Sequence, residues 1–320
     1  MYPEIKFGLP SWTLFKEIRD FDPDVIHAVN PIWTAALGVF AAQRDAVPLV
    51  ASFHTNVPEY VDALGIGWTR PLTEAALKYL HNQAAVNLCT SGPMVDKARA
   101  VGIRNVKLWP KAVDTQAYQP SRATAAMRER LTGGNPEAPL LTYVGRVSKE
   151  KDLERLNHVM QLVHAELSDA RLAIVGDGPS LEELKNSFDP AYTVFTGYLS
   201  GEELAAAFAV GDVFLFPSAT ETLGLVALES FASGVPVIGT NAGGIPFVIE
   251  EGVTGHLIAD EADDSAWANA ALGLLRDPSR RKAMGDAARR EAEKYSWVES
   301  TQALLTAYEE AIEHPFRRDD

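Results

Sequence analysis

Short runs rich in β-branched residues recur along this chain with helix-patterned stretches between them, and that rhythm restricts the fold most. "DVIHAVN", "PLVASFH", "AVNLCTS" and "VKLWP" read as strands, and the segments 31–44, 71–83 and 92–100 between them read as helices. Near-continuous apolar strands alternating with helices mark a parallel sheet covered on both faces. Around Tyr118 the rhythm pauses in "TQAYQPSRATAAMRERLTGGNPEAP", which is polar, proline-bearing and glycine-ended, and so predicts a linker. It then resumes through "PLLTYVGR", "RLAIVGDG", "YTVFTGYL", "VFLFPS", "PVIGT" and "GHLIA". The chain therefore reads as an α/β protein of two Rossmann-like domains, over residues 1–115 and 116–294. A helical end, over 295–320, is expected to pack back toward the first domain. A length of 320 residues suits two domains of ordinary size.

The formal charge of −14 is lopsided. Residues 1–115 carry 11 basic and 11 acidic side chains, so the whole excess of acid lies in 116–320. Nucleic acid needs a basic footprint, which excludes it as a partner of the second half. The first half offers an anionic surface no such repulsion. Cys89 is the single cysteine, so no internal disulfide forms and a reducing, cytoplasmic setting is expected. "MYPEIKFGLPSW" has neither the basic start nor the apolar core of a signal peptide. The most apolar long window, "LGLVALESFASGVPVIGT", carries Glu229 and Pro236 and does not read as a membrane span.

In sheets of this kind ligands gather outside the carboxyl ends of the strands. After "PLLTYV" come Gly145 and Arg146, then Lys149 and Lys151: a glycine that lets a ligand approach, and cations that suit a diphosphate. "GDGP", residues 176–179, reads mainly as a tight turn opening a helix. After "VFLFPS" comes "ETLGLVALE", with Glu221 in a loop, Leu223, Gly224 and Leu225 opening a helix, and Glu229 inside it. The free N–H groups of that first turn suit an anion. Two carboxylates at different depths suit a hydroxyl-rich ligand, because each accepts hydrogen bonds from sugar hydroxyls. Glu221 could instead be an acid favoured by the helix dipole. Glu229, however, lies among Val226, Leu228 and Phe231, where a carboxylate needs a partner. "NAGGIP", 241–246, adds a second glycine-rich loop at a strand end. In the first half His54 ends a strand, and "EYVDALGIGWTRPL" follows it. Its Tyr60, Leu64, Ile66 and Trp68, with little charge nearby, suit contact with a membrane interface.

"VGRVSKEKDLERL", "IVGDGP" and the long stretch from "FTGYLSGEEL" to "EEGVTGHLI" together resemble the retaining glycosyltransferases of family four, which have the GT-B fold. Glu221 and Glu229 match that family's E-x7-E signature. Within the family, "VIHAVNP", "ASFHTNVPEY", "LHNQAAVNLCTSGPM" and residues 108–114 are similar to the enzymes of sulfolipid synthesis, with GDP-mannose lipid mannosyltransferases also similar.

The resemblance implies transfer of sulfoquinovose from UDP-sulfoquinovose to diacylglycerol, with retention. No cofactor and no required metal are implied, and the protein would sit peripherally on the cytoplasmic face of a membrane. GDP-mannose or UDP-glucose donors are the alternative. By the same resemblance Arg146 and Lys151 hold the diphosphate, Glu229 the ribose hydroxyls and Glu221 the donor sugar. Gly145, Thr222, Leu223 and Gly224 line the pocket, Tyr198 and Leu199 seat the base, and His54 approaches C6 of the sugar. Family members open with a strand and a glycine-rich loop before the counterpart of "VIHAVN". The first domain is therefore expected to be truncated at its N-terminus, which leaves a non-catalytic nucleotide-sugar-binding protein as the reading from another class. A nicotinamide dehydrogenase is disfavoured, since no G-x-G-x-x-G joins an early strand to its helix.

Overall fold

The computed structural model describes residues 11–32, 34–54, 67–221 and 224–314. Two compact units emerge. Of the described residues, the central unit takes in Ala112–Ser296, and the amino-terminal unit combines those from 11 to 111 with the stretch that begins at Trp297.

The amino-terminal unit carries one parallel sheet in the order β1-β2-β3-β4: Ile26–Val29, Leu49–Phe53, Val86–Cys89 and Val106–Leu108. Helices α1 (Thr13–Phe21), α2 (Thr34–Asp45), α3 (Arg70–His81) and α4 (Gly92–Ala100) precede and link these strands. Every residue of β2 is buried, so both faces of the sheet must be covered. Leu49 and Ala51 pack with Val39, Ala42 and Leu80. Val50, on the opposite face, packs with Val86, Leu88, Ala307 and Ala311, as the two-residue period of a strand requires. The last two belong to helix Trp297–Glu313 at the far end of the sequence. Two helices close the described chain, Pro278–Ala292 in the central unit and Trp297–Glu313 in the other.

The central unit is built on a six-stranded parallel sheet, order β10-β9-β8-β5-β6-β7. Its strands are β5 Leu140–Val144, β6 Arg171–Val175, β7 Thr193–Gly197, β8 Val213–Phe216, β9 Val237–Thr240 and β10 Gly255–Ile258. Alternate residues again feed two cores: Leu140, Val144, Phe214 and Phe216 on one face with Phe231, and Leu141, Tyr143, Val213 and Leu215 on the other with Trp267.

The stretch expected to be a linker is partly ordered into helix α5, Ala125–Leu131. Thr124 caps it by accepting from the Met127 amide at 3.2 Å, and Met127 and Leu131, four residues apart, bury one face. Arg128 ties this helix to Asp212 at 2.8 Å, and Asp212 also meets Arg281 at 3.1 Å and accepts from the Leu140 amide. A polar composition concealed a short helix whose burial is carried by two side chains.

Candidate functional site

β5 borders both β6 and β8, and from it the chain runs outward to β7 on one side and β10 on the other. Such a reversal of strand order opens a crevice at the carboxyl ends of the two strands beside it. Here those are β5 and β8, and each feeds one half of the candidate site. After β5 the chain passes Gly145 and Arg146 and makes a tight turn, Lys149–Lys151. After β8 it passes Pro217–Glu221 and enters helix α9, Leu225–Ala232.

The two strand ends meet in an ion pair: Lys151 Nζ donates to Glu221 Oε1, with side chains only 16% and 19% exposed. The Glu221 carbonyl accepts from the Gly244 amide at 2.7 Å, so the glycine-rich loop after β9 braces the same point. Arg146 is half exposed and lies 3.7 Å from Glu150, whose carboxylate also accepts from Ser148 Oγ at 2.7 Å. The Tyr143 hydroxyl donates to the Arg146 carbonyl at 2.8 Å. That hydroxyl explains Gly145: a Cβ there would stand 2.8 Å from it. The need for glycine at 145 thus comes from the protein's own tyrosine.

Glu229 lies within α9, flanked by buried Leu228 and Ser230. Burial pushes its carboxyl up to about 7, against the opposing effect of a hydrogen bond from Tyr118. The Tyr118 phenol is likewise pushed up, first by burial and then by the Glu229 charge. Its ring stands edge-on to Phe208 at 5.4 Å. Glu229 therefore has the partner its surroundings require, supplied by a residue from the supposed linker that the sequence reading missed. An isolated tyrosine in a polar stretch was the only signal. The helix starts at Leu225, with Gly224 as its N-cap at φ 77°. A side chain at 224 would meet the Phe216 ring at 2.8 Å as well as that backbone strain.

The other candidates are dispersed. Thr222 and Leu223 lie outside the described residues. Tyr198 is 74% exposed, whereas Leu199 is 6% exposed and belongs to the hydrophobic core, so its side chain is committed to packing. Both follow β7, at the edge of the sheet and away from the reversal. Tyr60, Leu64 and Ile66 also lie outside the described residues. Trp68 sits in the short turn Gly67–Thr69 and is 83% exposed. Among the described residues no cluster of three or more His, Cys, Asp or Glu could hold a metal ion, and no helix is long and apolar enough to cross a membrane.

His54 belongs to the amino-terminal unit, directly after β2. Its backbone amide donates to Asn30 Oδ1 at 2.8 Å, its Nε2 lies 2.8 Å from Ser52 Oγ and its Nδ1 lies 3.2 Å from Lys111 Nζ. Burial, then the charges of Lys111 and His27, push the imidazole down to about 4. His54 is thus a neutral base at pH 7. Lys111, His27 and Trp109, which form its setting, lie in segments that carry the family resemblance, 108–114 and "VIHAVNP", but their contact with His54 has no sequence signal.

Comparison with known proteins identifies the family and the fold. The family model described as Glycosyl transferases group 1 matches residues 130–291, and that of Glycosyltransferase Family 4 matches residues 1–117. The sulfoquinovosyl transferase of Arabidopsis thaliana is 40% identical over 95% of this chain, which spans 60% of that protein's length. A GDP-mannose-dependent α-mannosyltransferase of Mycobacterium tuberculosis is 34% identical over 97% of this chain and 79% of its own. Among solved structures, Anabaena HepE in complex with UDP superposes with a TM-score of 0.78 at 19% identity, covering 93% of this chain and 81% of that one. Sucrose-phosphate synthase from Thermosynechococcus elongatus gives 0.75 at 22%, covering 94% and 80%. The fold is GT-B.

Proposed function

The chain belongs to the family 4 glycosyltransferases, and we propose that it moves a hexose from a nucleoside diphosphate to a lipid hydroxyl with retention of configuration. The donor we assign is UDP-sulfoquinovose and the acceptor diacylglycerol. The observation that carries the reading is the meeting of Lys151 and Glu221 at the strand-order reversal, with Glu229 and Tyr118 deeper along α9.

Charge develops on the diphosphate as the anomeric C–O bond breaks. Lys151 and Arg146 are the cations suited to stabilise it, and a preorganised donor of this kind is worth about two to three orders of magnitude in rate. Glu221 shares Lys151 and keeps acceptor capacity for hydroxyls of the sugar. Glu229 and the Tyr118 phenol suit the ribose diol. In a front-face course the acceptor oxygen bonds the anomeric carbon on the side the phosphate leaves, and its proton passes to a phosphate oxygen. No protein nucleophile is required. Supporting a lipid acceptor, the amino-terminal unit holds a largely apolar cavity of about 180 Å³ between α3 and α4, lined by Phe53, Leu77, Met94 and Ile103, with Lys97 and the paired Arg70 and Glu74 also on its wall. Contact with a membrane surface through the segment that holds Trp68 belongs to the same proposal.

The similarity to GDP-mannose-dependent enzymes supports a second donor, GDP-mannose. Calorimetry of the purified chain against UDP, GDP, UDP-glucose, UDP-sulfoquinovose and GDP-mannose, followed by transfer assays on diacylglycerol vesicles, separates the two. UDP and UDP-sulfoquinovose should bind, and an α-linked sulfolipid should form. Binding confined to GDP and GDP-mannose would replace this donor, and an inverted anomeric centre by NMR would overturn the mechanism.

A further inference from the structure

We propose that Arg289 is a positioning residue of the candidate site in the central unit: through three backbone carbonyls its guanidinium fixes Tyr118 against the helix that carries Glu229. The use of that pair for a nucleotide rests on the reading above, whereas the positioning rests on geometry within one compact unit.

Arg289 lies near the end of helix Pro278–Ala292, whose Gly285, Ala288 and Ala292 are buried. These small residues bring the helix close to the turn that ends α9. A Cβ at Gly285 would stand 2.1 Å from the Gly234 carbonyl oxygen. From there Arg289 Nη1 donates to the Ala232 carbonyl at 2.6 Å, to that of Tyr118 at 2.9 Å and to that of Thr115 at 3.2 Å. Its Nη2 shares the Thr115 carbonyl at 3.2 Å. Ala232 is the last residue of α9, so its carbonyl has no acceptor role within the helix. Thr115 and Tyr118 belong to a turn whose other bonds are local. Asp114 Oδ1 accepts from the Gln116 and Ala117 amides at 3.0 and 2.8 Å, and the Asp114 carbonyl accepts from the Tyr118 amide at 2.8 Å. None of these local bonds reaches α9; those of Arg289 do.

The carbonyls that Arg289 joins flank one functional contact. Ala232 lies three residues beyond Glu229, less than one helical turn. The Tyr118 carbonyl belongs to the residue whose phenol donates to Glu229. One guanidinium therefore holds the backbone at both ends of that hydrogen bond. A lysine offers a point charge, whereas the planar fork of arginine spans several acceptors at once. The charge itself is met on the outer side by Glu293, 2.9 Å from Nε, which leaves the inner edge of the fork to the carbonyls.

The Glu229 carboxyl, followed by NMR of its carboxyl carbon and identified by its loss in Glu229→Gln, reads the contact without any ligand. Tyr118→Phe should raise its midpoint by roughly 0.5–1 pH unit, because a hydrogen bond to the carboxylate is lost. Arg289→Lys keeps the charge, so a shift there reports position. It should raise the midpoint likewise and add nothing in the Tyr118→Phe background. An unmoved or lowered midpoint in Arg289→Lys, or a further rise in the double variant, overturns the positioning. Where Arg289→Lys does not keep the near-UV circular dichroism of the parent, Arg289→Gln is measured with and without Tyr118→Phe. A larger rise with Tyr118 present supports the positioning, and equal shifts in the two backgrounds overturn it.

Calorimetry with UDP reads the consequence for the site. Tyr118→Phe and Arg289→Lys should each weaken binding by about threefold to tenfold, the double variant no more than either alone. On the Glu229→Gln background Arg289→Lys should have no effect. Additive losses, or the same loss without the Glu229 carboxylate, overturn the link between Arg289 and the nucleotide. If the parent protein does not bind UDP, the nucleotide reading fails while the carboxyl titration still decides the positioning.

Discussion

The central unit keeps half-buried acids beside hydroxyl and amine donors, while in the amino-terminal unit His27, His54 and Lys111 form a half-buried group of bases in which, among the described residues, no acid takes part. Glu229 faces the Tyr118 phenol and Glu221 is met by Lys151. Lys111 contacts His54 directly, and Ser52 joins His54 to His27. Burial acts alike on both groups, raising the pKa of an acid and lowering that of a base. Burial thus favours the neutral form in both regions, the protonated carboxyl of Glu229 and the unprotonated ring of His54.

The largest expected break in this comparison comes from Lys151→Met. It leaves Glu221 without its cation and should reduce transfer by about a hundredfold to a thousandfold, while the fold, checked by near-UV circular dichroism, persists. Initial rates within about threefold of the parent would remove Lys151 from the site.

Next in size is Glu229→Gln. Losing a charged hydrogen bond should weaken UDP binding by about tenfold to a hundredfold in calorimetry, with Tyr118→Phe a smaller loss of the same kind. Because binding should favour the ionised carboxylate, UDP should also displace a proton from Glu229 near pH 7, read as a dependence of the binding heat on buffer. Unchanged affinity in Glu229→Gln would show that this acid only packs.

The two units should also respond to pH with opposite signs. Glu229 has a folded value of about 7 against 4.5 for the free side chain. The folded state binds its proton more tightly, so the contribution to stability falls as pH rises from about 4.5 to 7. His54 has a folded value of about 4 against 6.5. There the unfolded state binds the proton more tightly, and stability is lost as pH falls from about 6.5 toward 4. His27, shifted in the same direction, adds to that loss. Each slope is at most ~1.4 kcal/mol per pH unit for one proton. Native-state hydrogen exchange of β8 and β2 reads the two units separately, and Glu229→Gln and His54→Asn should each flatten one profile. Slopes of one sign in both units would contradict the contrast.

The smallest effect is expected from Tyr308→Phe, which removes the end of the histidine chain. It should destabilise the amino-terminal unit by about 0.5–1.5 kcal/mol and leave exchange in β8 and α9 unchanged. An equal loss in both units would show that they do not open independently.

The strands were legible because each is a short, nearly continuous apolar run, and that pattern depends only on local burial. The break at Tyr118 was legible as composition but misleading as structure, since α5 is carried by Met127 and Leu131 alone. Gly145 and Gly224 could be singled out, but not the reasons for them: the Tyr143 hydroxyl and the Phe216 ring that occupy the space of their side chains. The two residues expected to seat the base, Tyr198 and Leu199, are told apart only by packing, which buries Leu199 and leaves Tyr198 in solvent.

By itself the sequence determined the alternation of strand and helix, the two sheets, and the chemistry offered at the strand ends by Arg146, Lys151, Glu221, Glu229 and His54. These follow from side-chain type and spacing along the chain. Tertiary structure alone decided the partners. Lys151 meets Glu221 from 70 residues away, Glu229 takes its hydrogen bond from Tyr118, and His27 reaches Tyr308 across 281 residues. Strand order in the sheet and the return of helix Trp297–Glu313 set those meetings. A buried polar group is completed by whichever donor or acceptor the fold brings within hydrogen-bond reach, and sequence separation does not enter that energy.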